Sequence, residues 1–242
     1  MKIAVCLHLF YDDMLQEIIN FLNNLEEPYK LYVTMIDYKS NTLEVLKKIK
    51  QDVKIINVEN KGVDVGGFLN TLKFIDEDTD LVLKIHTKKG IGSTETPSNA
   101  VRRFGVERTL NKTRIWFHEL MNGVLGGKDF TKKIIDTFKK NNECGMVGFR
   151  LYNNLKPNEN KIKEVIEIMK LNVIVKDYFF VGGTIFWIDY KILRKYFTDE
   201  IIDNLLEKME NNYVCEPSIQ HALERIFGLI VYNENKKIFT LN

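Results

Sequence analysis

Short apolar runs alternate with amphipathic stretches along residues 1–90 of the chain. The apolar runs have the length and composition of strands and cover 2–9, 31–36, 53–58 and 81–85. Between them, apolar residues recur at helical spacing at 14–25, 43–49 and 68–74. Strands that alternate with short helices favour parallel pairing and right-handed crossovers. The pattern therefore predicts an α/β fold in which helices flank a mainly parallel central sheet.

The rest of the chain predicts more helices than strands. Apolar residues at helical spacing lie at 106–125, 130–138, 162–169, 192–197, 201–209 and 216–228. Strands are predicted at 145–149 and 178–187, and Gly182 and Gly183 in the second indicate a bulge or a close backbone approach. The segment 90–100 is small and polar, so it predicts a loop that either closes over a bound ligand or lies on the surface.

Composition narrows the class of partner. The 242 residues include 35 Lys and Arg and 33 Asp and Glu, and the net charge of +2 gives no reason to expect a nucleic-acid partner. Basic residues do cluster locally, within 84–89 and at Arg102 and Arg103. A local cluster of this kind favours a small phosphorylated ligand.

Cysteine spacing and hydropathy bear on where the protein works. The three cysteines lie far apart, without metal or redox spacing, so we expect reduced thiols in the cytoplasm. Residues 1–10 are typical of a strand rather than of a signal peptide. The longest apolar window, 178–188, is too short to cross a bilayer. We therefore predict a cytoplasmic protein, and any association with the inner face of the membrane would be peripheral.

The stretch 59–89 combines a glycine-rich segment with a basic strand end. Gly62, Gly66 and Gly67 are predicted to form a turn whose backbone N–H groups reach a ligand. Asp64 would either cap the following helix or accept a hydroxyl hydrogen bond. The strand then ends in His-Thr-Lys-Lys, and ligands of open α/β sheets lie beyond the carboxyl ends of such strands. We predict a ligand site here; the alternative is an ordinary turn and a solvated loop.

Six motifs occur in order along nearly the whole chain: HLFY at 8–11, ENKGVDVGGFL at 59–69, LKIHTKK at 83–89, GMVGF at 145–149, FFVGGTIFW at 179–187 and EPSIQHALERIFG at 216–228. With this set the chain resembles the rhamnan synthesis protein F family of bacterial polysaccharide glycosyltransferases. The resemblance implies a GT-A-like, Rossmann-like fold with a single domain over 1–242. Residues 1–90 would form its nucleotide-sugar-binding half and residues 91–242 its acceptor half.

The resemblance also implies an activity. An inverting transferase of this family would move a deoxyhexose, L-rhamnose from its dTDP donor, onto a lipid-linked or glycan acceptor of a cell-surface polysaccharide. Related GT-A enzymes end the corresponding strand in a D-x-D motif that holds Mg²⁺ or Mn²⁺. Here the strand ends in Lys-Ile-His-Thr-Lys, whose cationic side chains would face the leaving diphosphate directly. We therefore expect no metal and no cofactor; the alternative is a non-catalytic nucleotide-sugar-binding or assembly subunit.

The resemblance assigns individual roles as well. The nucleotide-sugar-binding residues would be His8, Tyr11, Asn60, Gly62, Asp64, Gly66, Lys84, His86 and Lys88. Glu216 falls where the fold carries its general base, with His221 nearby as a second catalytic residue. The alternative for Glu216 is a carboxylate that stabilises a helix start. Gly182, Gly183 and Trp187 would face the acceptor.

Overall fold

The computed structural model describes residues 1–37, 40–49, 52–89, 106–173 and 178–241. The loop predicted at 90–100 lies outside these ranges, as do Arg102 and Arg103. Within the described ranges the centre of the molecule is a seven-stranded sheet with the order β3-β2-β1-β4-β8-β5-β9. Its strands are β1 (Ile3–His8), β2 (Tyr29–Met35), β3 (Asp52–Asn57), β4 (Leu81–His86), β5 (Cys144–Gly148), β8 (Phe186–Asp189) and β9 (Lys237–Phe239). A separate two-stranded sheet pairs β6 (Leu151–Tyr152) with β7 (Phe180–Val181).

The central sheet is parallel except for one strand. The neighbours β3, β2, β1 and β4 pair in parallel, as do β5 and β9. Strand β8 runs antiparallel to both β4 and β5. The prediction of an α/β fold with a mainly parallel sheet is confirmed.

Helices cover both faces of this sheet. They are α1 (Leu15–Leu22), α2 (Ser40–Lys47), α3 (Val63–Leu72), α4 (Val106–Leu125), α5 (Lys128–Lys140), α6 (Glu159–Ile168), α7 (Tyr190–Tyr196), α8 (Asp199–Lys208) and α9 (Ile219–Asn233). Apolar side chains of α1, α2, α4 and α5 pack on one face, and those of α3 and α6 to α9 on the other. Strands β1 and β4 are buried along their whole length, as a parallel strand covered on both faces should be. None of the helices in the described part is both long and apolar enough to cross a membrane.

The order of the strands reverses beside β1. From β1 the chain adds β2 and then β3 on one side, and β4 then joins β1 on the other side. Helix α1 accordingly packs on one face of the sheet and α3 on the opposite face. A crevice opens at such a switch point beyond the carboxyl ends of the two strands, and ligands of open α/β sheets bind there. His8 and His86 end β1 and β4 and are direct neighbours in the register.

Two predicted elements have other boundaries in the structure. Helix α3 begins at Val63 and not near residue 68, because Gly62 adopts a left-handed conformation (φ 66°) as its N-cap. The run 178–187 is not one strand, because the chain leaves the small sheet after Val181 and joins the central sheet only at Phe186. Gly183 (φ 81°) lies in the turn between these two strands.

Trp187 belongs to the core and not to an acceptor surface. Its side chain is fully buried, and the indole N–H donates to the carbonyl oxygen of Val124 at 3.0 Å. It packs among the apolar residues under α1 and α4. A residue in this position cannot contact an acceptor, so we leave Trp187 out of the candidate site.

We predict that Trp187→Phe lowers the free energy of unfolding by about 2–3 kcal/mol, because the Val124 carbonyl loses its donor and the core loses packed volume. Urea unfolding measures the loss. Trp116→Phe, at a half-buried tryptophan of α4, is the matched control and should cost about 1 kcal/mol or less. Equal losses for the two variants would contradict the core assignment.

Candidate functional site

The carboxyl ends of β1 and β4 are locked together by Thr87. The Thr87 hydroxyl oxygen accepts the backbone N–H groups of Phe10 at 3.1 Å and Tyr11 at 3.0 Å. The Thr87 N–H donates in turn to the carbonyl oxygen of His8 at 3.1 Å. These bonds fix the residues that follow both strands at the crevice, in positions set by the backbone.

A buried ion pair lies beneath this edge of the sheet. One carboxylate oxygen of Asp64, Oδ2, accepts from Lys84 Nζ at 2.7 Å and from Thr184 Oγ1 at 2.6 Å. Lys84 Nζ also approaches the carbonyl and hydroxyl oxygens of Thr184 at 2.8 and 2.9 Å. The Lys84 side chain is 1% exposed. Its ammonium group has three N–H donors, and these three neighbours occupy them all.

Lys84 therefore does not fit its predicted role as a direct ligand contact. Its charge is neutralised inside the protein by Asp64, and no donor remains for a phosphate. The alternation of side chains along β4 points Lys84 and His86 to the same face, as the sequence indicates, but Lys84 lies deeper.

The two members of this pair shift each other's pKa. Burial raises the pKa of Asp64, but the charge of Lys84 and the hydrogen bonds from Lys84 and the Thr184 hydroxyl hold that pKa well below its ordinary value. Burial lowers the pKa of Lys84, and the neighbouring Asp64 carboxylate opposes this shift. A buried charge stays ionised only while its partner is present, so each of these two residues depends on the other.

The two histidines at the strand ends are neutral. Burial lowers the pKa of His8 to about 4 and that of His86 well below its ordinary value. His8 Nδ1 lies 3.0 Å from Thr34 Oγ1, whereas His8 Nε2 is buried without a hydrogen-bond partner among the described residues. His86 Nδ1 lies 3.4 Å from Asp64 Oδ2 and makes no hydrogen bond to a described residue. A neutral imidazole that is 3% exposed cannot supply positive charge, so the predicted cationic role of His86 does not fit.

Lys88 lies at the mouth of the crevice and, unlike Lys84, is not paired with a carboxylate of the described residues. Its Nζ lies 4.5 Å from the centre of the Trp116 ring, and it makes no hydrogen bond or ion pair to another described residue. Lys89, by contrast, pairs with Asp13 and lies 5.2 Å from the centre of the Tyr11 ring. Lys88 rests on an aromatic face that orients it without neutralising it.

The glycines predicted to bind a ligand serve the fold instead. The Gly62 N–H donates to the Glu210 carbonyl at 3.0 Å, and the Gly66 N–H donates to the Gly62 carbonyl at 2.9 Å. Both N–H groups thus have backbone partners within the protein. Gly67 has a positioning role, because a Cβ there would lie 2.3 Å from His8 Nδ1.

Asn60 also has a structural partner. The side-chain amide of Asn60 donates to Asn212 Oδ1 at 2.9 Å. The backbone carbonyl oxygen of Asn60 accepts the Asn212 backbone N–H at 2.7 Å. These bonds hold the segment before α3 against the segment after α8. The side-chain oxygen Oδ1 of Asn60 is buried without a hydrogen-bond partner among the described residues, so its role in ligand binding stays a prediction.

Glu216 and His221 lie in a second polar group around Arg225. Helix α9 begins at Ile219 with Ser218 as its N-cap, so Glu216 precedes the helix. Arg225 is 5% exposed and donates to Glu216 Oε1 at 2.9 Å and to the His221 carbonyl at 2.8 Å. His221 Nδ1 lies 2.7 Å from the Ser218 hydroxyl, and burial lowers its pKa. Both predicted catalytic residues thus have partners within the protein.

The sequence analysis missed Glu224 and Thr184. Glu224 Oε1 accepts the Gly183 N–H at 2.6 Å, and the next residue, Thr184, binds Asp64. Burial raises the pKa of Glu224, while the Gly183 N–H and Arg225 act in the opposite direction. The available signal was a carboxylate within a helix whose neighbouring positions are mostly apolar, since buried residues surround Glu224 in α9.

The acceptor-side glycines lie at this turn. The Gly183 N–H is taken by Glu224, and the Gly182 N–H donates to the Arg150 carbonyl at 3.1 Å. A Cβ on Gly182 would lie 2.4 Å from the ring of Tyr152. Both glycines permit a close approach of other groups, as their position in the sequence indicates.

The described residues also bear on metal binding. In the ranges that the structure describes, no group of three or more His, Cys, Asp or Glu side chains is placed to hold a metal ion.

The sheet order and this polar edge define the class of protein. A mostly parallel sheet flanked by helices, with polar side chains at a strand switch point, is a Rossmann-like arrangement. The chain belongs to the family described as rhamnan synthesis protein F, whose model matches residues 1–236. The family resemblance expected from the motifs is confirmed.

Two relatives match nearly the whole of this chain. Both are named Uncharacterized protein WxcX and come from two strains of Xanthomonas campestris pv. campestris. Each is 24% identical over 256 residues, covering 98% of this chain and 32% of the relative. The chain thus spans about a third of the length of these relatives.

We predict that Asp64→Asn lowers the free energy of unfolding by about 3–5 kcal/mol, because the Lys84 ammonium keeps its buried position without a counter-charge. Lys84→Met should also destabilise. The double variant should lose less than the sum of the single losses by about 2 kcal/mol or more, as measured by urea unfolding. Additive losses would show that the two side chains do not depend on each other.

We predict that stability falls as the pH is lowered from 6.5 towards 4. In this window His8 is protonated in the unfolded chain but stays neutral in the folded one, so the unfolded state binds more protons. Each histidine of this kind contributes about 1.4 kcal/mol per pH unit. Urea unfolding at several pH values measures how the free energy of unfolding depends on pH. In His8→Asn this dependence should be weaker by an amount that corresponds to about one proton. An unchanged dependence would contradict the neutral state of His8.

Proposed function

We propose that this protein is a glycosyltransferase that moves a deoxyhexose from a nucleotide sugar onto a bacterial cell-surface polysaccharide. The specific donor would be dTDP-L-rhamnose, the acceptor lipid-linked or glycan, and the reaction inverting. The family supports a role in rhamnan synthesis. The observation that supports the assignment to a site is Lys88 at the crevice between β1 and β4, a cation without an ion pair to another described residue, on a fold whose ligands bind at that edge.

The residues around Lys88 suit a nucleoside diphosphate. Phe10 follows β1 with its ring 45% exposed and makes an edge contact with Tyr11, their ring centres 4.8 Å apart. An exposed aromatic ring offers a stacking surface for a base. The unneutralised ammonium of Lys88 would then lie beside the diphosphate, where negative charge grows as the glycosyl bond breaks. Lys84 and His86 contribute by holding this edge rather than by contacting the ligand.

The proposed reaction does not require a metal at the strand end. GT-A enzymes that hold Mg²⁺ or Mn²⁺ there use carboxylates, whereas this strand ends in His86, Thr87 and Lys88. A lysine acts on a phosphate as a point charge, and it replaces part of what the metal supplies. A lipid-linked acceptor would place the protein at the inner face of the membrane, in peripheral contact.

A second function is a nucleotide-sugar-binding or assembly subunit without turnover. The ion pair of Glu216 with Arg225 favours it, since that carboxylate is the one the family resemblance assigns as base. The two functions differ in one measurable respect. Both require donor binding, but only the first transfers the sugar to an acceptor.

The experiment is a thermal-shift screen of dTDP-, UDP- and GDP-sugars, followed by a transfer assay with the sugars that bind. A ligand that binds the folded state raises the melting temperature by mass action. We expect dTDP-rhamnose to stabilise equally in Mg²⁺ and in EDTA. Stabilisation that requires the metal would overturn the metal-independent proposal, and binding without transfer would favour the subunit.

We predict that Lys88→Ala weakens dTDP binding about tenfold to a hundredfold, because one charge-assisted hydrogen bond contributes about 1.5–3 kcal/mol. Thymidine binding, which involves no phosphate, should change little. Isothermal titration calorimetry measures both affinities. Lys89→Ala is the matched control, since Asp13 already neutralises that neighbour. Equal losses for thymidine and dTDP in Lys88→Ala would place Lys88 away from the diphosphate.

A further inference from the structure

We propose that Glu224 of α9, and not Glu216, accepts the proton of the acceptor hydroxyl in the transfer. This inference rests on the proposed function and adds the residue that activates the acceptor. A general base must reach that hydroxyl within hydrogen-bond distance at the moment of attack. The choice between the two carboxylates is therefore first a question of where each one lies.

Glu224 is connected to the candidate site through a single turn. Its Oε1 accepts the Gly183 N–H at 2.6 Å, and the adjacent Thr184 donates its hydroxyl to Asp64 Oδ2 at 2.6 Å. Glu224 and Asp64 thus bind two consecutive residues of one turn, Gly183 and Thr184. The charges of Lys88 and Asp64 both act on Glu224. Glu224 is the carboxylate of α9 that faces the polar edge of the sheet.

Glu216 lies on the other side of Arg225. Its Oε1 binds an Arg225 guanidinium nitrogen, Nη2, at 2.9 Å. Arg225 is itself held by the carbonyl oxygens of Asn154, at 3.2 Å, and His221, at 2.8 Å. Glu216 is thereby bound to a fixed, buried guanidinium. Its contacts indicate a structural role at the start of α9.

The second oxygen of Glu224 is held less closely than the first. Its Oε2 lies 3.4 Å from an Arg225 nitrogen, a longer contact than the one that Glu216 makes. The Glu224 side chain is 16% exposed, compared with 5% for Arg225. Burial raises the pKa of Glu224, which brings the group closer to the range in which a carboxylate accepts a proton effectively.

In the proposed step, one bond forms and one bond breaks at the anomeric carbon of the donor. The acceptor hydroxyl oxygen forms a bond to the anomeric carbon of the donor, and the bond from that carbon to the phosphate oxygen breaks. The nucleoside diphosphate leaves with the bonding electrons, next to Lys88. The hydroxyl proton passes to Glu224 Oε2 and is later released to water. Oε1 stays bound to the Gly183 N–H throughout, which fixes the direction of Oε2.

We predict that Glu224→Gln lowers kcat for transfer by about 10²–10⁴-fold, the usual effect of losing a general base. The amide oxygen of glutamine can still accept the Gly183 N–H. The melting temperature and the affinity for dTDP-rhamnose should therefore stay close to those of the wild type. Glu216→Gln is the matched control: it removes the ion pair with Arg225, so it should lower stability and leave kcat within a few-fold.

The outcomes separate this inference from the proposed function. Wild-type transfer by Glu224→Gln would overturn the inference alone, and a large loss in Glu216→Gln with normal stability would return the role to Glu216. A wild-type protein that binds nucleotide sugars and transfers none would overturn both. If Glu224→Gln does not fold, the pH profile of wild-type kcat decides. An acid limb above the ordinary glutamate range supports Glu224, and a flat profile through that range contradicts it.

Discussion

The buried pair of Lys84 and Asp64 joins three parts of the chain that lie far apart in sequence. Lys84 comes from β4, Asp64 from the first turn of α3, and Thr184 from the turn that precedes β8. Removing two charges from water costs several kcal/mol for each ion, and only close geometry with additional hydrogen bonds compensates for it. Thr184 completes that geometry. The three residues together tie β4, α3 and the turn before β8 to one another at this edge of the sheet.

Some of the basic side chains at this site serve the fold, and we assign another to the ligand. Lys84 is neutralised by Asp64, and burial keeps His8 and His86 neutral. The positive charge that faces the crevice is then that of Lys88, which lies against the Trp116 ring. On the far side of the Gly183 turn the nearest carboxylate is Glu224. A leaving phosphate and an incoming hydroxyl need these two opposite charges on two sides of one site.

Much of the fold follows from the sequence because hydrophobic periodicity reports burial directly. The wholly apolar β1 and the nearly apolar β4 predict strands covered on both faces, and the structure agrees. Partners distant in sequence leave no such pattern. Lys84 on an apolar strand indicates a special residue, but its pairing with Asp64, 20 positions earlier, depends on the start of α3. That start depends in turn on the left-handed backbone of Gly62, which residue type alone does not specify.

The candidate site shows the same division. Its location at the ends of β1 and β4 follows from the motifs and from strand order, because polar residues after buried strands meet at one edge. The roles within it were harder to predict. Trp187 and Lys84 are chemically suited to a ligand, but they are fully buried, and burial is a property of the whole fold. Glu224 lies within a predicted helix and gains its importance only from the Gly183 turn, which the chain brings to it from 41 residues away.

The most direct measurement is to map the segments of the protein that a nucleotide sugar contacts. Hydrogen–deuterium exchange with and without dTDP-rhamnose measures this along the whole chain. The account predicts slower exchange in peptides that cover 8–13, 84–89 and 182–184, with no change in α5. Binding that protects α5 or another distant surface, and leaves these three segments unchanged, would contradict the assignment of the site to the edge between β1 and β4.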